Sequence, residues 1–236
     1  MKAFRLVFLC VLMLSSLACA EASSWELSYK ESDGDKIYID SSSIVENGVY
    51  ISFWMKQENE DPFKNNGIKT YFALAKIDGE NFTTVAEKTT SYLENGNIVN
   101  GGKREESTFS YTSVLAFCFA KAESIQLEKK KWAAVSSAVF KNKSFKTYVA
   151  EPFLYKGHLC FFIKSEADDG DTFYIFYKYD KQNNIADQIW TIFLNKNENA
   201  TNVYIYKGKK EITPNPNSSL TKCIEKANLM LKEQSL

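Results

Sequence analysis

The chain has 236 residues, of which 44% are hydrophobic and 25% charged, so it can bury a core without metal ions or a dense disulfide framework. Lysine plus arginine and aspartate plus glutamate both number 29, and arginine occurs only at Arg5 and Arg104, which argues against nucleic acid as a partner. A single histidine, His158, excludes metal sites built from several histidines, and we expect no cofactor.

The first 20 residues have the pattern of a signal peptide. Lys2 and Arg5 precede an apolar run over residues 6–14, which is too short to span a bilayer, and Ala18-Cys19-Ala20 has the small residues of a cleavage site. We therefore predict a signal peptide over residues 1–20 and export to the periplasm, the cell surface or the medium. No later stretch approaches the ~20 apolar residues of a membrane helix, so we expect membrane contact only through this leader or a lipid.

Cys19 leaves a second interpretation of the leader open. The order Ser16-Leu17-Ala18-Cys19 resembles a permissive bacterial lipoprotein box, in which Cys19 becomes the lipidated first residue of the mature protein. Leucine usually stands three positions before that cysteine, and here Ser16 stands there. The sequence is compatible both with plain secretion and with a lipid anchor on Cys19.

The chain after the leader has the turns and strands of an antiparallel sheet. Most of the ten glycines follow Asn or Asp, and these dipeptides supply the positive φ of hairpin turns: Gly34, Gly48, Gly67, Gly79, Gly96, Gly101 and Gly170. The segments between them are rich in aromatic and β-branched residues, as strands prefer. Residues 49–56 alternate with a period of two, and residues 71–78 and 173–180 have a similar pattern, so we expect strands joined by hairpins.

Two segments have helical spacing instead. Residues 113–128 place Val114, Phe117, Cys118 and Ile125 on one helical face, and residues 219–234 repeat this pattern, with Ser218 or Ser219 as the cap. Each helix ends a block of strands. The predicted fold class is therefore α+β, with an antiparallel sheet and a C-terminal helix packed on it, repeated twice.

The two blocks match each other in the order of their features. The matching pairs are Trp25 with Trp132, residues 38–40 with 148–150, Gly48 with Gly157, residues 71–78 with 173–180, and Cys118 with Cys223. Small insertions in turns account for the differences in offset, so we predict a tandem duplication of a unit of about 105 residues. The predicted units are residues 21–128 and 129–236.

Short motifs follow one another through the first unit. They are Trp25, Tyr38-Ile39-Asp40 followed by Ser43-Ile44, a strand ending near Trp54, Lys76-Ile77-Asp78, Tyr92-Leu93-Glu94-Asn95-Gly96, and Cys118 in the closing helix. This order resembles the surface-adhesin protein E-like domain of bacterial envelope proteins. The resemblance spans Trp25 to Cys118, and the second unit carries it more faintly through Cys223.

The resemblance implies an antiparallel sheet crossed by a C-terminal helix, in exported and often lipid-anchored proteins whose founding adhesin binds host matrix proteins and haem. The family pairs a Cys after Lys-x-Asp with the Cys of the closing helix. Here Gly79 and Lys181 stand at the first position, so Cys118 and Cys223 lack that partner. Together with Cys160 they are three cysteines whose state stays open: buried thiols, or one disulfide and a leftover thiol.

No group of residues has the pattern of a catalytic or metal site. His158 and Cys160 lie two apart in a predicted strand and share a face, which permits contact without making a catalytic pair. The acidic residues Asp33 and Asp35, and those at 168–171, flank glycines in predicted turns, and we interpret them as solvated hairpins rather than calcium ligands. We therefore predict that the protein is not an enzyme and has no metal site.

The chain is unusually rich in aromatic residues, which make up 14% of it. Strands such as residues 173–179 are aromatic on both faces, so the second face must be covered by the sister unit, a second chain or a ligand. Tyr50 and Trp54 share a face in the first unit, and Tyr174 and Phe176 share one in the second, which makes these four our candidate binding surface.

These observations predict an exported, non-enzymatic bacterial cell-envelope protein that acts as a binding or adhesion module. Its partner would be a protein or a small ligand at the envelope, and not a nucleic acid. The alternative is a periplasmic small-ligand binder or hydrolase with a pocket between the two units. A third reading is a structural domain that pairs with another chain through a free thiol.

Overall fold

The structure, a computed structural model, describes residues 24–196 and 200–234. The predicted signal peptide and its Cys19 lie outside the described residues. Two antiparallel sheets, each followed by one helix, make up the described chain. The predicted class of antiparallel sheet with packed helices, including a helix at the C-terminal end, is confirmed at this level. Neither described helix is long and apolar enough to cross a membrane.

The N-terminal sheet follows the chain as a meander. Its central order is β1-β2-β4-β5-β6-β7, while β3 pairs with β4 and β8 pairs with β6. The strands are β1 (Trp25–Lys30), β2 (Lys36–Asp40), β3 (Val45–Asn47), β4 (Tyr50–Glu58), β5 (Ile68–Asp78), β6 (Thr83–Leu93), β7 (Ile98–Gly101) and β8 (Ser107–Thr108). Two single-turn 3-10 helices, Ser41–Ser43 and Pro62–Asn65, lie in its connections. Helix α1 (Val114–Glu128) closes this half, and the Ser113 hydroxyl caps it by accepting the Ala116 N–H.

The C-terminal sheet is a plain six-stranded meander. Its strands are β9 (Trp132–Phe140), β10 (Lys143–Tyr155), β11 (His158–Ala167), β12 (Thr172–Asp180), β13 (Ile185–Leu194) and β14 (Ala200–Ile212), paired in sequence order. Helix α2 (Ser219–Gln234) ends the described chain. Of the two serines predicted as its cap, Ser218 accepts the N–H of Thr221, at 3.1 Å.

Most of the predicted glycine turns have the expected backbone. Gly170 has φ +92°, and a side chain there would also crowd Lys196, so this hairpin needs glycine. Gly79 and Gly101 correct the prediction, because neither has a positive φ. Phe82 takes the left-handed conformation in the turn after Gly79, with φ 55°, and Gly101 lies in β7.

The elements stack in four layers: N-terminal sheet, α1, C-terminal sheet and α2. One buried cluster joins both sheets through α1, with the ring of Phe119 in contact with Trp190 at a centroid distance of 5.8 Å. A second cluster lies between the far face of the C-terminal sheet and Cys223, Ile224 and Ala227 of α2. The units predicted at 21–128 and 129–236 therefore share a hydrophobic core.

Helix α1 contacts a sheet on each side. Toward the N-terminal sheet, Phe117 stacks on Tyr29 and Lys121 forms an ion pair with Glu26 at 3.0 Å. Toward the C-terminal sheet, Phe119 meets Trp190. This position explains the sequence of α1, which is apolar around most of its circumference rather than along one stripe.

Candidate functional site

No element of the described chain lies over the face of the N-terminal sheet opposite α1. Successive side chains of a strand point to opposite faces. Ile37, Phe53 and Ala73 point toward α1 and are buried, so their neighbours point away. We call this surface the open face. Its apolar members are Trp25, Leu27, Tyr38, Tyr50, Trp54, Phe72, Leu74, Tyr92 and Ile98.

A lysine stands at the centre of aromatic contacts on the open face. The Lys56 ammonium lies 5.2 Å from the ring centroid of Trp25 and 4.3 Å from that of Tyr38. Trp25 also meets Phe72 edge-on at 5.7 Å. A hydrogen bond from Lys56 holds the pKa of Glu58 below its ordinary value, and the two charged groups are 2.8 Å apart. The cluster thus holds the rings of Trp25 and Tyr38 around the Lys56 ammonium, whose charge Glu58 neutralises.

The C-terminal sheet carries the same cluster at matching register positions. Lys164 lies 5.3 Å from the ring of Trp132 and 4.9 Å from that of Tyr148, and pairs with Glu166 at 2.7 Å. Tyr174 takes the place of Phe72, with its ring centroid 5.8 Å from that of Trp132. In each sheet the lysine lies opposite this aromatic residue on the next strand.

The two clusters differ in what covers them. In the C-terminal sheet, the indole of Trp132 donates a 2.9 Å hydrogen bond to the carbonyl of Leu127 in the last turn of α1. Tyr174 and Phe176, which we predicted as part of a binding surface, are only 4% and 2% exposed. Their strand is apolar on both faces because α1 covers one face and α2 the other. These two residues belong to the core, and this part of the prediction is wrong.

The other two predicted residues lie on the open face. Tyr50 is 38% exposed, and Trp54 is half-buried. Leu27, Tyr92 and Ile98, which sequence reasoning missed, are more exposed than Tyr50 and enlarge the apolar surface. The period-two pattern identifies which residues share this face, but it does not show that the helix covers the opposite one.

A cleft separates the β3–β4 hairpin from the end of β10. It has a volume of about 770 Å³, and its lining includes Tyr50, Lys130, Glu151, Phe153, Tyr155 and Phe162. Lys130 forms ion pairs across it, with Glu46 at 2.8 Å and with Glu151 at 3.0 Å. This cleft is the space between units that the alternative function needs, although its one lysine is already paired with both carboxylates.

Glu123 of α1 is a buried carboxyl beside this ion-pair group. Burial, with the negative charge of Glu46 added, raises the pKa of Glu123 to about 8, against the opposing effect of Lys130. Its Oε2 atom is buried and has no hydrogen-bond partner within the described chain. At neutral pH the group is therefore mainly protonated.

The three described cysteines are free and buried. Burial raises the pKa of each thiol to about 12, so a thiolate is disfavoured near neutral pH. His158 begins β11 two residues before Cys160, as expected, but the Cys160 thiol faces the core. At Gly79, where the resembling family has a cysteine, a Cβ atom would lie 3.3 Å from the Phe119 ring.

The acidic turn at Glu31, Asp33 and Asp35 brings three carboxylates within 4.8 Å of one another. Asp35 is buried and accepts the backbone N–H of Glu60 at 2.9 Å, so it holds two turns together. In the second acidic turn, Asp168 accepts the backbone N–H of Ser144 and Asp169 pairs with Lys143. In both turns the carboxylates therefore form hydrogen bonds or ion pairs within the protein.

No protein-family model matches the chain, and no curated protein matches it.

Proposed function

We propose that the protein is an exported, non-enzymatic module of the bacterial cell envelope that binds a partner through the open face. The observation that carries this proposal is the unequal fate of two equivalent surfaces. In the C-terminal sheet, Phe162, Tyr174 and Phe176 are buried in the cluster that includes α1. Their counterparts Trp54, Phe72 and Leu74 are half-buried, and no described layer lies over them. Rigid aromatic side chains held in an exposed sheet favour binding with little loss of entropy.

The proposal includes a tandem duplication of the unit. Support comes from the two matched clusters and from matched turns after β5 and β12. Asp78 accepts hydrogen bonds from the backbone N–H groups of Glu80 and Asn81. Asp180 accepts them in the same way from Gln182 and Asn183, two and three positions on. The two sheets also run in the same meander order before their helices. A single ancestral surface would then have become a domain contact in one copy and a binding surface in the other.

The resemblance to surface-adhesin protein E-like domains supports an envelope location, as does the charged and apolar leader. A lipid on Cys19 would hold the module at a membrane surface. In that arrangement only the few residues before Trp25 separate the anchor from the open face.

A small-ligand binder that uses the cleft is the second candidate. The volume of about 770 Å³ and the aromatic rings of Phe153, Tyr155 and Phe162 favour it. Hydrolysis by a cysteine nucleophile is disfavoured, because burial raises the pKa of Cys160 to about 12.

Site-specific photocrosslinking in the producing cells tests the main proposal. A benzophenone amino acid replaces Leu27 or Tyr92 on the open face, or Phe140 as an exposed aromatic control on β9. We expect one adduct of defined mass in the envelope fraction from both open-face positions, none from Phe140, and loss of the adduct with Trp54→Ala. Adducts at all three positions, or at none, would contradict binding through the open face.

A further inference from the structure

We infer that the cleft between the β3–β4 hairpin and the end of β10 binds an organic ammonium cation. This inference is separate from the open face and rests on the second candidate function, because it names the ligand class of the same cleft. Three features carry it: the charge of the cleft, its aromatic rings and a buried carboxyl behind its wall.

The cleft has an excess of negative charge. Among the described residues that line it, Glu46 and Glu151 are acidic and Lys130 is basic. Lys130 contacts both oxygens of Glu46, at 2.8 and 3.1 Å, and the Oε2 atom of Glu151 at 3.0 Å. The Glu151 side chain is 51% exposed, so a ligand can reach this carboxylate from solvent. A cation is therefore attracted to the cleft, and an anion is repelled.

Lys130 shows how the cleft holds an ammonium group. Its Nζ atom lies 5.1 Å from the centroid of the Phe162 ring while it contacts the two carboxylates. A cation within about 6 Å of a ring centroid is attracted by the negative face of the ring. The combination of ring and carboxylate that binds this internal ammonium is the combination that would bind one from a ligand.

More exposed rings line the rest of the cleft. Phe153 and Tyr155 of β10 are half-buried, and Tyr50 of β4 is 38% exposed. The hydroxyls of Tyr50 and Tyr155 are hydrogen-bonded to each other, which holds one ring from each sheet in place. Fixed rings beside a carboxylate favour an ammonium group with an apolar substituent over a metal ion, which needs several oxygen ligands.

Glu123 of α1 is the buried carboxyl behind this wall. The charged groups that face it are Glu46 of β3 and Lys130 after α1, which both line the cleft, and Glu151 of β10 lies beyond Lys130. The Glu123 Oε2 atom has no hydrogen-bond partner within the described chain. A cation in the cleft would favour the ionised form of Glu123, whose pKa burial raises to about 8, so binding is coupled to release of this proton.

Isothermal titration calorimetry of the processed chain with benzyltrimethylammonium tests the site. This probe has an aromatic ring and a permanent positive charge, so its own charge does not change with pH. We expect saturable binding with a Kd of about 1 mM or below. N-benzylacetamide, a neutral molecule of similar size, should bind at least about tenfold more weakly, because it lacks the charge that the rings and carboxylates attract.

Variants of two charged residues locate the site through effects of opposite sign. Glu151→Gln, at an exposed position that tolerates the change, should weaken binding about fivefold. Lys130→Met removes the internal cation and should strengthen binding by about the same factor, because the probe then meets both carboxylates unpaired. Glu94→Gln is the control, since this exposed carboxylate follows β6 at the opposite end of the sheet from Tyr50, and it should leave the Kd unchanged.

The dependence of binding on pH tests the coupling to Glu123. Between pH 7 and pH 9 the affinity of the wild type for the probe should rise about threefold, because Glu123 ionises in this range. Glu123→Gln cannot ionise, so its affinity should stay constant. A rise that persists in Glu123→Gln would reject the coupling.

Three further results would overturn the inference. They are no saturable binding of benzyltrimethylammonium, equal affinity for it and for N-benzylacetamide, or a Kd that neither Glu151→Gln nor Lys130→Met changes. Each would also remove the ammonium ligand from the second candidate function. Binding through the open face would stand in all three cases, because photocrosslinking at Leu27 and Tyr92 tests it separately.

Discussion

Trp25 and Trp132 occupy the same position in two different sheets, each at the start of an edge strand and each beside a lysine ammonium, at 5.2 and 5.3 Å. Trp132 donates to the helix carbonyl of Leu127, and among the described residues no hydrogen-bond acceptor faces the indole of Trp25. The same sequence feature is therefore a structural contact in one half of the chain. In the other half it lies on the open face.

Truncation tests the shared core. A chain that ends at Glu128 loses the C-terminal sheet, which exposes the side of α1 that carries Phe119, a fully buried ring. Although the sequence suggests two units, we expect residues 24–128 to aggregate or lose their cooperative unfolding transition. Circular dichroism and gel filtration would show this, and a monomeric fragment with a sharp melting transition would contradict it.

Phe119→Ala tests the contact between α1 and both sheets. The ring meets Trp190, Phe82 and Phe109, at centroid distances of 5.8, 6.4 and 6.4 Å, and its removal leaves a cavity. We expect the free energy of unfolding to fall by about 3–5 kcal/mol. Tyr92→Ala on the open face is the control, with a loss below about 1 kcal/mol in urea titrations. Equal losses from both variants would mean that the open face is also covered.

Glu123 should make stability depend on pH. Its pKa is about 8 in the folded protein and near the ordinary 4.5 when unfolded, so the unfolded state releases this proton first as pH rises. The folded state therefore loses about 1.4 kcal/mol of stability per pH unit between these two values. Glu123→Gln should match the wild type near pH 4.5 and exceed it increasingly up to pH 8. A difference in unfolding free energy that does not change with pH would contradict the raised pKa.

Thiol labelling tests the burial of the cysteines. Cys118, Cys160 and Cys223 should resist maleimide in the native protein and react after urea unfolding, because burial and a pKa of about 12 both oppose the thiolate. A Phe140→Cys variant places a fourth thiol at an exposed position and should react at once. Rapid native labelling of Cys118 would refute the packing of α1, and that of Cys223 the packing of α2.

Intact mass of the mature protein tests the leader. We expect a chain that begins within residues 21–23 in the soluble fraction, the result of cleavage at the predicted site. If the membrane fraction instead holds a chain that begins at Cys19 and carries the added mass of a diacyl or triacyl group, the protein is an anchored lipoprotein. Cys19→Ser separates the two cases, because it abolishes the lipid form and leaves a secreted form unchanged.

Much of the fold follows from local patterns in the sequence. The period of two in residues 49–56 places Tyr50 and Trp54 on one face, and the second helix begins directly after Ser218, one of its two predicted caps. The order of the layers is a long-range property. Tyr174 resembles Phe72 in its strand, and only the stacking of the two sheets makes the first a core residue and the second part of a surface.

One signal for that stacking was present in the sequence of α1. Phe117, Cys118 and Ile125 lie on one side of the helix and Ala116, Phe119 and Leu127 on another, so its apolar residues extend beyond the single stripe that a surface helix needs. A helix of this kind must be covered on more than one side. The identity of the second cover still depends on contacts between residues that are far apart in the chain, such as Phe119 with Trp190.

The contact of Phe119 with Gly79 bears on when the protein can fold. Where the resembling family has a disulfide, this chain has a ring against a glycine, and its described thiols are unpaired. Nothing in the described fold waits for oxidation, so the chain is able to reach its native state in a reducing compartment. For a protein exported as we propose, folding would compete with translocation from the moment of synthesis, and a slow folding rate or a holding chaperone would be needed to keep it competent for export.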